Sequence, residues 1–287
     1  MTSVMLKDRL NSRPIQFAIA SLVALFCFAG QTDAQDLRRH FKEVKGAFVL
    51  YDLQQNRYVR YDEARCRQRF SPFSTFKIPN SLIGLETKVL ADADHLLRWE
   101  PGKYPEASGW TEAPFVHWKQ DQTLRSAMKY SVVWYYRELA KRVGEPQMKK
   151  FVTAFGYGNQ DISGGLAGPQ LFQAFWLNSS LQISADEQIE FLKKFYTGKL
   201  PVSARTTAIV KDILVLEKMP NYTLSGKTGG GTLPGGNSLG WFVGYVETKG
   251  NVYFFATNIE GANYAAIRDR RIELTRQILA ELGHLPR

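Results

Sequence analysis

The spacing of apolar residues changes twice along the chain, and this change restricts the fold more than any other feature. Residues 46–53 are β-branched, aromatic and apolar, and residues 57–61 alternate after a short polar turn, which predicts a β-hairpin. Three further strand patterns lie near the other end of the chain, at residues 222–227, 239–246 and 252–257. The sequence therefore predicts an α/β (α+β) fold, in which N- and C-terminal strands form one antiparallel sheet flanked by helices, with an inserted helical lobe.

Helical spacing fills the middle of the chain and returns at its end. It predicts helices over residues 121–143, 146–155, 184–197, 203–217 and 267–282. Ser184 and Glu187 have the spacing of a capping box, which begins the third of these. Residues 90–120 contain prolines and glycines among aromatic residues, which predicts an irregular connection. The predicted lobes are an α/β lobe formed by residues 35–80 and 201–287, and a helical lobe formed by residues 81–200.

Residues 1–34 have the composition of a signal peptide. Three basic residues precede an apolar run over residues 17–30, and Thr32-Asp33-Ala34 offers a cleavage site before Gln35. The run is short for a membrane span, and the alternative is an amino-terminal anchor helix that is kept. We therefore expect an exported, periplasmic protein that has no membrane contact after cleavage. Cys27 would be removed with this segment. Cys66, the second of the two cysteines, would then have no partner for an internal disulfide.

The chain is basic, with a formal net charge of +10, so an anionic partner has to be considered. The densest basic run, at residues 65–69, has no interleaved aromatic residues, and we expect no nucleic-acid partner. The four histidines are scattered and no cysteine pair exists, so a zinc site has few candidate ligands. We expect no metal and no bound cofactor. A small acid or a solvated basic surface is left as the explanation of the charge.

The first candidate for chemistry is the segment Ser74-Thr75-Phe76-Lys77. A serine and a lysine three residues apart on a helix share one face, so the amine can reach the hydroxyl. A serine hydroxyl is a weak nucleophile at neutral pH until a neighbouring base takes its proton. Pro79 removes a backbone donor early in this helix, which predicts a distortion near Ser74. By itself the motif is common, and its significance depends on the rest of the chain.

Two short motifs follow at wide spacing: Ser131-Val132-Val133 in the helical region and Lys227-Thr228-Gly229 at the end of a strand. In this order they resemble the serine-dependent penicillin-recognising proteins, whose three motifs meet in a cleft between two lobes. Val132-Val133, Tyr157-Gly158-Asn159 and Phe175-Trp176-Leu177 make the chain similar to the class D, oxacillinase-type β-lactamases. Lys227-Thr228 does not end a phosphate loop, because that pattern requires glycine where Asn221 stands.

The resemblance implies a role for each of these positions in opening a β-lactam, a small-molecule substrate. Ser74 attacks the lactam carbonyl, Ser131 passes a proton to the ring nitrogen, and Lys227 adds positive charge beside that path. The backbone N–H groups of Ser74 and Gly230 line the oxyanion site. The remaining substrate-binding positions are Val133, Leu177, Thr228, Gly229, Gly230 and Arg268. The choice of Arg268 as the partner of the substrate carboxylate leaves Arg270 and Arg271 as alternatives.

The resemblance also implies a carbon dioxide molecule held as a carbamate on Lys77, an N6-carboxylysine that serves as general base. The chain lacks the class A alternative, since residues 166–181 contain no acidic residue. Only a neutral amine reacts with carbon dioxide, and at an ordinary pKa about one lysine in a thousand is neutral near pH 7.4. Apolar neighbours lower that pKa, and Trp176 offers an indole N–H to the carbamate.

Two other functions share this fold. One is a penicillin sensor that is acylated and does not hydrolyse its ligand, and the other is a peptidoglycan transpeptidase or carboxypeptidase. The sequence departs from the family pattern at Phe73, where a smaller residue is usual, and in the long glycine-rich segment at residues 229–236. Both positions are expected near the side chain of the substrate, so the sequence does not determine which β-lactams are preferred. The oligomeric state is expected to be a monomer or a homodimer.

Overall fold

The computed structural model describes residues 37–105 and 110–286. The strands are β1 (Gly46–Asp52), β2 (Arg57–Tyr61), β3 (Leu96–Leu97), β4 (Gln122–Thr123), β5 (Val215–Lys218), β6 (Tyr222–Thr232), β7 (Ser238–Thr248) and β8 (Asn251–Gly261). Within the described residues, six strands form an antiparallel sheet in the order β2-β1-β8-β7-β6-β5, and β3 pairs with β4 separately. The predicted α/β fold, with one sheet shared by both ends of the chain, is confirmed.

The helices account for most of the remaining chain. They are α1 (Glu63–Arg67), α2 (Lys77–Glu86), α3 (Leu124–Lys129), α4 (Val133–Val143), α5 (Glu145–Phe155), α6 (Ala185–Tyr196), α7 (Ala204–Ile213), α8 (Tyr264–Arg268) and α9 (Arg270–Glu281). Short 3-10 turns cover Leu37–Phe41, Phe73–Phe76 and Phe115–Trp118. The capping box at Ser184 and Glu187 is present at the start of α6. None of the helices in the described ranges is long and apolar enough to cross a membrane. The predicted signal peptide lies outside the described residues.

The sheet is covered on both faces, which explains why its central strands are apolar at nearly every position. Along β7, Trp241 and Val243 belong to the core shared with α2, α4 and α6, whereas Phe242 and Val246 belong to the core beneath α9. Successive strand residues point to opposite faces, so a strand buried on both faces needs apolar residues throughout. The sheet therefore forms a rigid middle layer between α9 on one side and the larger helical side on the other.

Three predicted helices differ from the observed ones at their boundaries. The helix expected over 121–143 is split into α3 and α4, because Ser131 has a left-handed backbone with φ 56°. The helix expected over 203–217 ends at Ile213, and the chain continues as edge strand β5, paired to β6. The final helix is divided at Asp269 into α8 and α9. In each case side-chain spacing continues through the break, so periodicity alone cannot locate it.

The basic run at residues 65–69 is engaged with carboxylates. Arg65 is buried, 2.7 Å from Glu260, and its cation lies over the ring of Phe70. Arg67 pairs with Glu63 one turn earlier on α1, and Arg69 forms a two-pronged pair with Glu187 on α6. Cys66 lies among them as a buried free thiol. These contacts tie α1 to the sheet and to α6, which gives the run a structural function.

Candidate active site

Ser74 and Lys77 meet at a change in helix type. Ser74 lies in the 3-10 turn Phe73–Phe76, and Lys77 is the first residue of α2. A 3-10 turn has three residues per turn, so residues three apart are in line along its axis. The Lys77 Nζ atom donates to the Ser74 Oγ atom over 2.7 Å. The predicted distortion near Ser74 therefore takes the form of this turn, in which Phe73 has a left-handed backbone with φ 49°.

Lys77 is enclosed. Its side chain is only 1% exposed, its Nζ atom lies 5.3 Å from the centre of the Tyr136 ring, and no described carboxylate forms an ion pair with it. The Tyr136 hydroxyl lies 2.9 Å from the Ser81 Oγ atom. Burial, and secondly the positive charge of Lys227, hold the pKa of the Lys77 amine well below its usual range. The amine is therefore available in its neutral form, in which it accepts a proton.

Ser131 reaches the same cavity from the break between α3 and α4. Its left-handed backbone, with φ 56°, turns the chain after Tyr130, and its N–H donates to the Met128 carbonyl over 3.2 Å. Ser131 is half-buried and borders the cavity together with Ser74. Because Ser131 lies between two helices, its side chain is not part of a continuous helix surface. The motif predicted within a helix thus lies at a helix junction.

Strand β6 passes close beside the turn that carries Ser74. A Cβ atom added at Gly229 would lie 2.8 Å from the Pro72 carbonyl oxygen, and one added at Gly231 would lie 2.3 Å from the Phe73 ring. A side chain at Gly229 would meet backbone and separate the two elements, whereas one at Gly231 would displace the Phe73 ring, so glycine allows this close approach. The motif Lys227-Thr228-Gly229 therefore lies directly against the turn that carries Ser74.

Lys227 is the second buried amine of the site. It is 5% exposed and its Nζ atom donates to the Thr228 carbonyl over 2.9 Å. Burial, and secondly the positive charge of Arg271, lower the pKa of Lys227 to about 7. Lys227 borders one end of a cavity together with Lys129, Arg268 and Arg271, and Asp269 is the one carboxylate among the described residues there. This excess of basic groups favours an anionic ligand.

Arg268 and Arg271 occupy different environments near that end. Arg268 is 39% exposed, and its guanidinium pairs with the neighbouring Asp269 carboxylate at 3.0 Å. Arg271 is 4% exposed, donates to the Gly229 carbonyl of β6, and lies 5.5 Å from the centre of the Tyr264 ring. Both arginines border the cavity. Arg271 is fixed against the strand that carries the Lys-Thr-Gly motif. Arg270 is not among the described residues that border the cavity.

The cavity has two halves that share Ser74, Ser131 and Tyr264. One half has a volume of about 400 Å³ and is bordered by Lys227, Thr228 and Arg271; we call it the cationic half. The other has a volume of about 560 Å³, and we call it the apolar half. Its apolar walls are formed by Phe73, Phe115, Trp118, Phe172 and Leu177. A ligand that carries a carboxylate at one end and an apolar group at the other matches this arrangement, with its centre at Ser74.

The other predicted site residues lie at different depths. Leu177 borders the apolar half. Trp176 is 1% exposed and stacks on Phe76, with ring centres 5.5 Å apart, which places it beside the first turn of α2. Val133 is buried at the start of α4 and is absent from the described residues that border either half of the cavity. Its predicted contact with substrate stays a prediction.

Several cavity walls lie outside the sequence motifs. Tyr264 borders both halves, and Phe115, Trp118 and Phe172 border the apolar half. They come from the irregular connection, the loop before α6 and the start of α8, which are far apart in sequence. The only signal was the abundance of aromatic residues in the irregular connection. Such residues are common in cores, and nothing in their spacing distinguishes a wall from a buried side chain.

A serine beside a buried lysine, between strand β6 of the sheet and a helical side, defines the class of serine-dependent penicillin-recognising proteins. The model of the penicillin-binding protein transpeptidase domain matches residues 46–280. The probable β-lactamase YbxI of Bacillus subtilis is 41% identical over 226 residues, which are 79% of this chain and 78% of that protein. The β-lactamase OXA-48 of Klebsiella pneumoniae is 37% identical over 275 residues, 94% and 97% of the two chains.

Solved structures agree with this assignment. The class D β-lactamase YbXI from Nostoc has 39% sequence identity and a TM-score of 0.74, covering 88% of this chain and 98% of its own. The chain therefore belongs to the class D β-lactamases, which are serine hydrolases, as the sequence motifs predicted. A regulatory protein is also similar: BlaR1 of Bacillus licheniformis is 35% identical over 241 residues, which are 84% of this chain and 37% of that protein.

Proposed function

We propose that the chain is an exported, periplasmic hydrolase that opens penicillin-type β-lactams through an acyl-Ser74 intermediate, with N-carboxylated Lys77 as its general base. The observation that carries this proposal is the Lys77 amine, which is buried, lies 2.7 Å from the Ser74 Oγ atom and has a strongly lowered pKa. A base at this position can take the hydroxyl proton as Ser74 attacks, and its proximity to the same atom suits it to activate water afterwards.

Acylation follows from the positions of the two serines and of β6. The Ser74 Oγ atom attacks the lactam carbonyl carbon and transfers its proton to the base. The backbone N–H groups of Ser74 and Gly230 are assigned to the oxyanion that develops on the carbonyl oxygen. The carbon–nitrogen bond of the ring then breaks, and the Ser131 hydroxyl delivers a proton to the ring nitrogen. Lys227, whose pKa is about 7, is suited to pass a proton on to Ser131.

The surroundings of Lys77 fit a carbon dioxide adduct. The amine lacks a carboxylate partner among the described side chains, and it is near the positive charge of Lys227. A negative group on the Lys77 Nζ atom would convert the repulsion between the two lysines into attraction. When present, this carbamate would supply the base for both halves of the reaction. Trp176, buried on the Phe76 ring beside Lys77, is assigned as a hydrogen-bond donor to it.

The substrate carboxylate is assigned to the cationic half, with Thr228 and Arg271 as its partners. Arg271 is preferred to Arg268, because Arg271 is held against β6 whereas Arg268 is paired with Asp269. A guanidinium offers two parallel N–H donors to a carboxylate, which an ammonium group does not. The ring system would then lie over Ser74, and the substituent at the far end of the molecule would enter the apolar half.

One experiment tests hydrolysis and the base together. Purified mature protein, from which carbon dioxide has been removed at low pH, is returned to neutral buffer and mixed with a chromogenic cephalosporin, with and without bicarbonate. We expect turnover to recover with bicarbonate, and carbon-13 bicarbonate to give a carbamate resonance that is lost in Lys77→Ala. Full turnover without this resonance would exclude the carboxylated base. Export is tested separately by locating the mature amino terminus in a periplasmic fraction, and assembly as monomer or homodimer by sedimentation.

The similarity to BlaR1 supports a second candidate function, that of a penicillin sensor whose acylated serine is not regenerated by hydrolysis. Both functions predict acylation of Ser74, and they differ in the fate of the ester. Intact mass measured over time distinguishes them: a transient adduct with continuing product release supports the hydrolase, and a single burst followed by a lasting adduct supports the sensor.

A further inference from the structure

The Phe73 ring and Gly231 occupy adjoining space beside the nucleophile. A Cβ atom added at Gly231 would lie 2.3 Å, 2.7 Å and 3.0 Å from three atoms of the Phe73 ring. Ordinary contacts of a Cβ atom are 3.4 Å or longer. The ring would therefore have to move by about 1 Å to accommodate a single methyl group on β6. The ring fills the volume that a side chain at position 231 would otherwise take.

The backbone of Phe73 is fixed on both sides, so the ring cannot adapt by a backbone shift. Residue 73 has φ 49°, a left-handed conformation that is unfavourable for an aromatic residue. Before it, the Ser71 carbonyl accepts from the Trp241 Nε1 atom over 3.0 Å, and the Pro72 carbonyl accepts from the Thr75 backbone N–H and Oγ1 atoms. After it, Ser74 is held by Lys77. Because these anchors hold the turn, a displaced ring has to rotate about its side-chain bonds.

The direction of that rotation is set by the surroundings. The Phe73 side chain is 3% exposed, β6 lies on one side of it, and its accessible edge borders the apolar half of the cavity. Protein interiors are packed closely enough that a ring displaced from β6 moves into the nearest free space. That space is the apolar half, next to Ser74. The residue at position 231 therefore controls how far the ring projects into the cavity.

We propose that Phe73 and Gly231 form one steric unit that determines which substituents the apolar half admits. Phe73 is the specificity-determining side chain, and the absence of a side chain at Gly231 leaves room for the Phe73 ring beside β6, so that the ring does not project into the cavity. This assignment rests on the acyl-Ser74 reaction proposed above. The ligands concerned are β-lactams whose acylamino substituent ends in a bulky apolar group. A substrate that lacks this substituent does not reach the ring, and its reaction is expected to be insensitive to the ring's position.

The test is a cycle of four proteins: the unmodified chain, Gly231→Ala, Phe73→Ala and the double variant. Alanine at position 73 keeps a Cβ atom on the left-handed backbone and removes only the ring. For each protein, kcat/KM is measured for benzylpenicillin and for 6-aminopenicillanic acid, which has no acyl substituent. We expect Gly231→Ala to lower the kcat/KM for benzylpenicillin, divided by that for 6-aminopenicillanic acid, by about tenfold or more. This is the usual effect of a methyl-sized change in an apolar pocket. In the Phe73→Ala background, the same substitution should change the ratio by less than about twofold.

Gly102→Ala is the matched control, because an added Cβ atom at Gly102 meets no atom within 4 Å. It should leave the ratio unchanged in both backgrounds. An equal fall in both backgrounds after Gly231→Ala, or an equal loss for both substrates, would overturn the proposal. Tm values for the same four proteins give an independent readout: Gly231→Ala should lower Tm only when the ring is present. If the unmodified chain does not react with β-lactams, the proposed function fails, and the Tm cycle still decides whether the two residues form a steric unit.

Discussion

Replacing Arg271 tests which guanidinium binds the carboxylate of the substrate. Arg271 is 4% exposed and donates to the Gly229 carbonyl beside the Lys-Thr-Gly motif, whereas Arg268 is 39% exposed and is already paired with Asp269. A buried guanidinium has little water to compete with its ligand, so a carboxylate gains a strong charge-assisted interaction there. We therefore expect Arg271→Met to weaken catalysis far more than Arg268→Met does.

The expected magnitudes differ by about an order of magnitude. A hydrogen bond to a charged group contributes about 1.5–3 kcal/mol, which corresponds to a fall in kcat/KM of roughly 10- to 150-fold for Arg271→Met. An exposed charge in water contributes about 0–1 kcal/mol, or less than about fivefold, for Arg268→Met. Arg271→Lys keeps a positive charge and loses the planar fork, so its kcat/KM should lie between those of Arg271→Met and the unmodified protein.

The assay compares kcat/KM for a penicillin and for its methyl ester, which has no negative charge. If Arg271 binds the carboxylate, the loss on Arg271→Met should be large for the acid and small for the ester. Equal losses for the two substrates would mean that the substitution disturbs β6 instead, and a Tm measurement on the same samples would detect such damage. A larger effect of Arg268→Met than of Arg271→Met would refute the reasoning from burial.

Three further predictions concern protonation. Lys77→Ala should slow acylation by about 100- to 10,000-fold and leave a lasting acyl-Ser74 adduct in intact-mass spectra, whereas Lys227→Ala should still release product; normal turnover in Lys77→Ala would contradict its role as base. The pH–rate profile should lose activity as the pH falls through the depressed pKa of Lys77, because the protonated amine neither accepts a proton nor takes up carbon dioxide; a flat acidic limb would contradict this. Although burial opposes its charge, hydrogen bonds from Lys103, Tyr104 and Arg142 lower the pKa of Glu138 to about 2, so its contribution to stability is present above its ordinary pKa and is lost as the pH falls towards 2. Glu138→Gln should therefore lower the free energy of unfolding by about 1–3 kcal/mol at pH 7 and by less at pH 3 in urea titrations, and an equal loss at both pH values would contradict the ion-pair explanation.

The motifs predicted the core of the site, because each of them is local in sequence. The spacing of three residues from Ser74 to Lys77 brings the amine to the hydroxyl whether the turn is α or 3-10, so this contact could be predicted before the turn type was known. The choice between Arg268 and Arg271 could not be predicted from the sequence. They are three residues apart and carry the same charge. They differ only in what surrounds them, which is decided by the packing of α8 against β6 and β7 and of α9 against β7 and β8.

The fold shows the same division. Hydrophobic spacing located the hairpin of β1 and β2 and the strands β6, β7 and β8, because a strand in the middle of a covered sheet needs apolar residues on both faces. It could not locate β5, an exposed edge strand whose residues continue the helical pattern of α7. Nor could it locate the break at Ser131, since a left-handed residue outside glycine is held by its neighbours and leaves no mark in periodicity.

By itself, the sequence determined most of the strands and helices and predicted the motifs of the site, because those depend on spacing within a few residues. The tertiary structure alone decided how strongly Lys77 is buried, which arginine is held against β6 and how Phe73 and Gly231 share space. These properties arise where segments that are distant in sequence come into contact. Burial, electrostatic interaction and steric exclusion depend on distance in space, and the spacing of residues along one segment does not contain that distance.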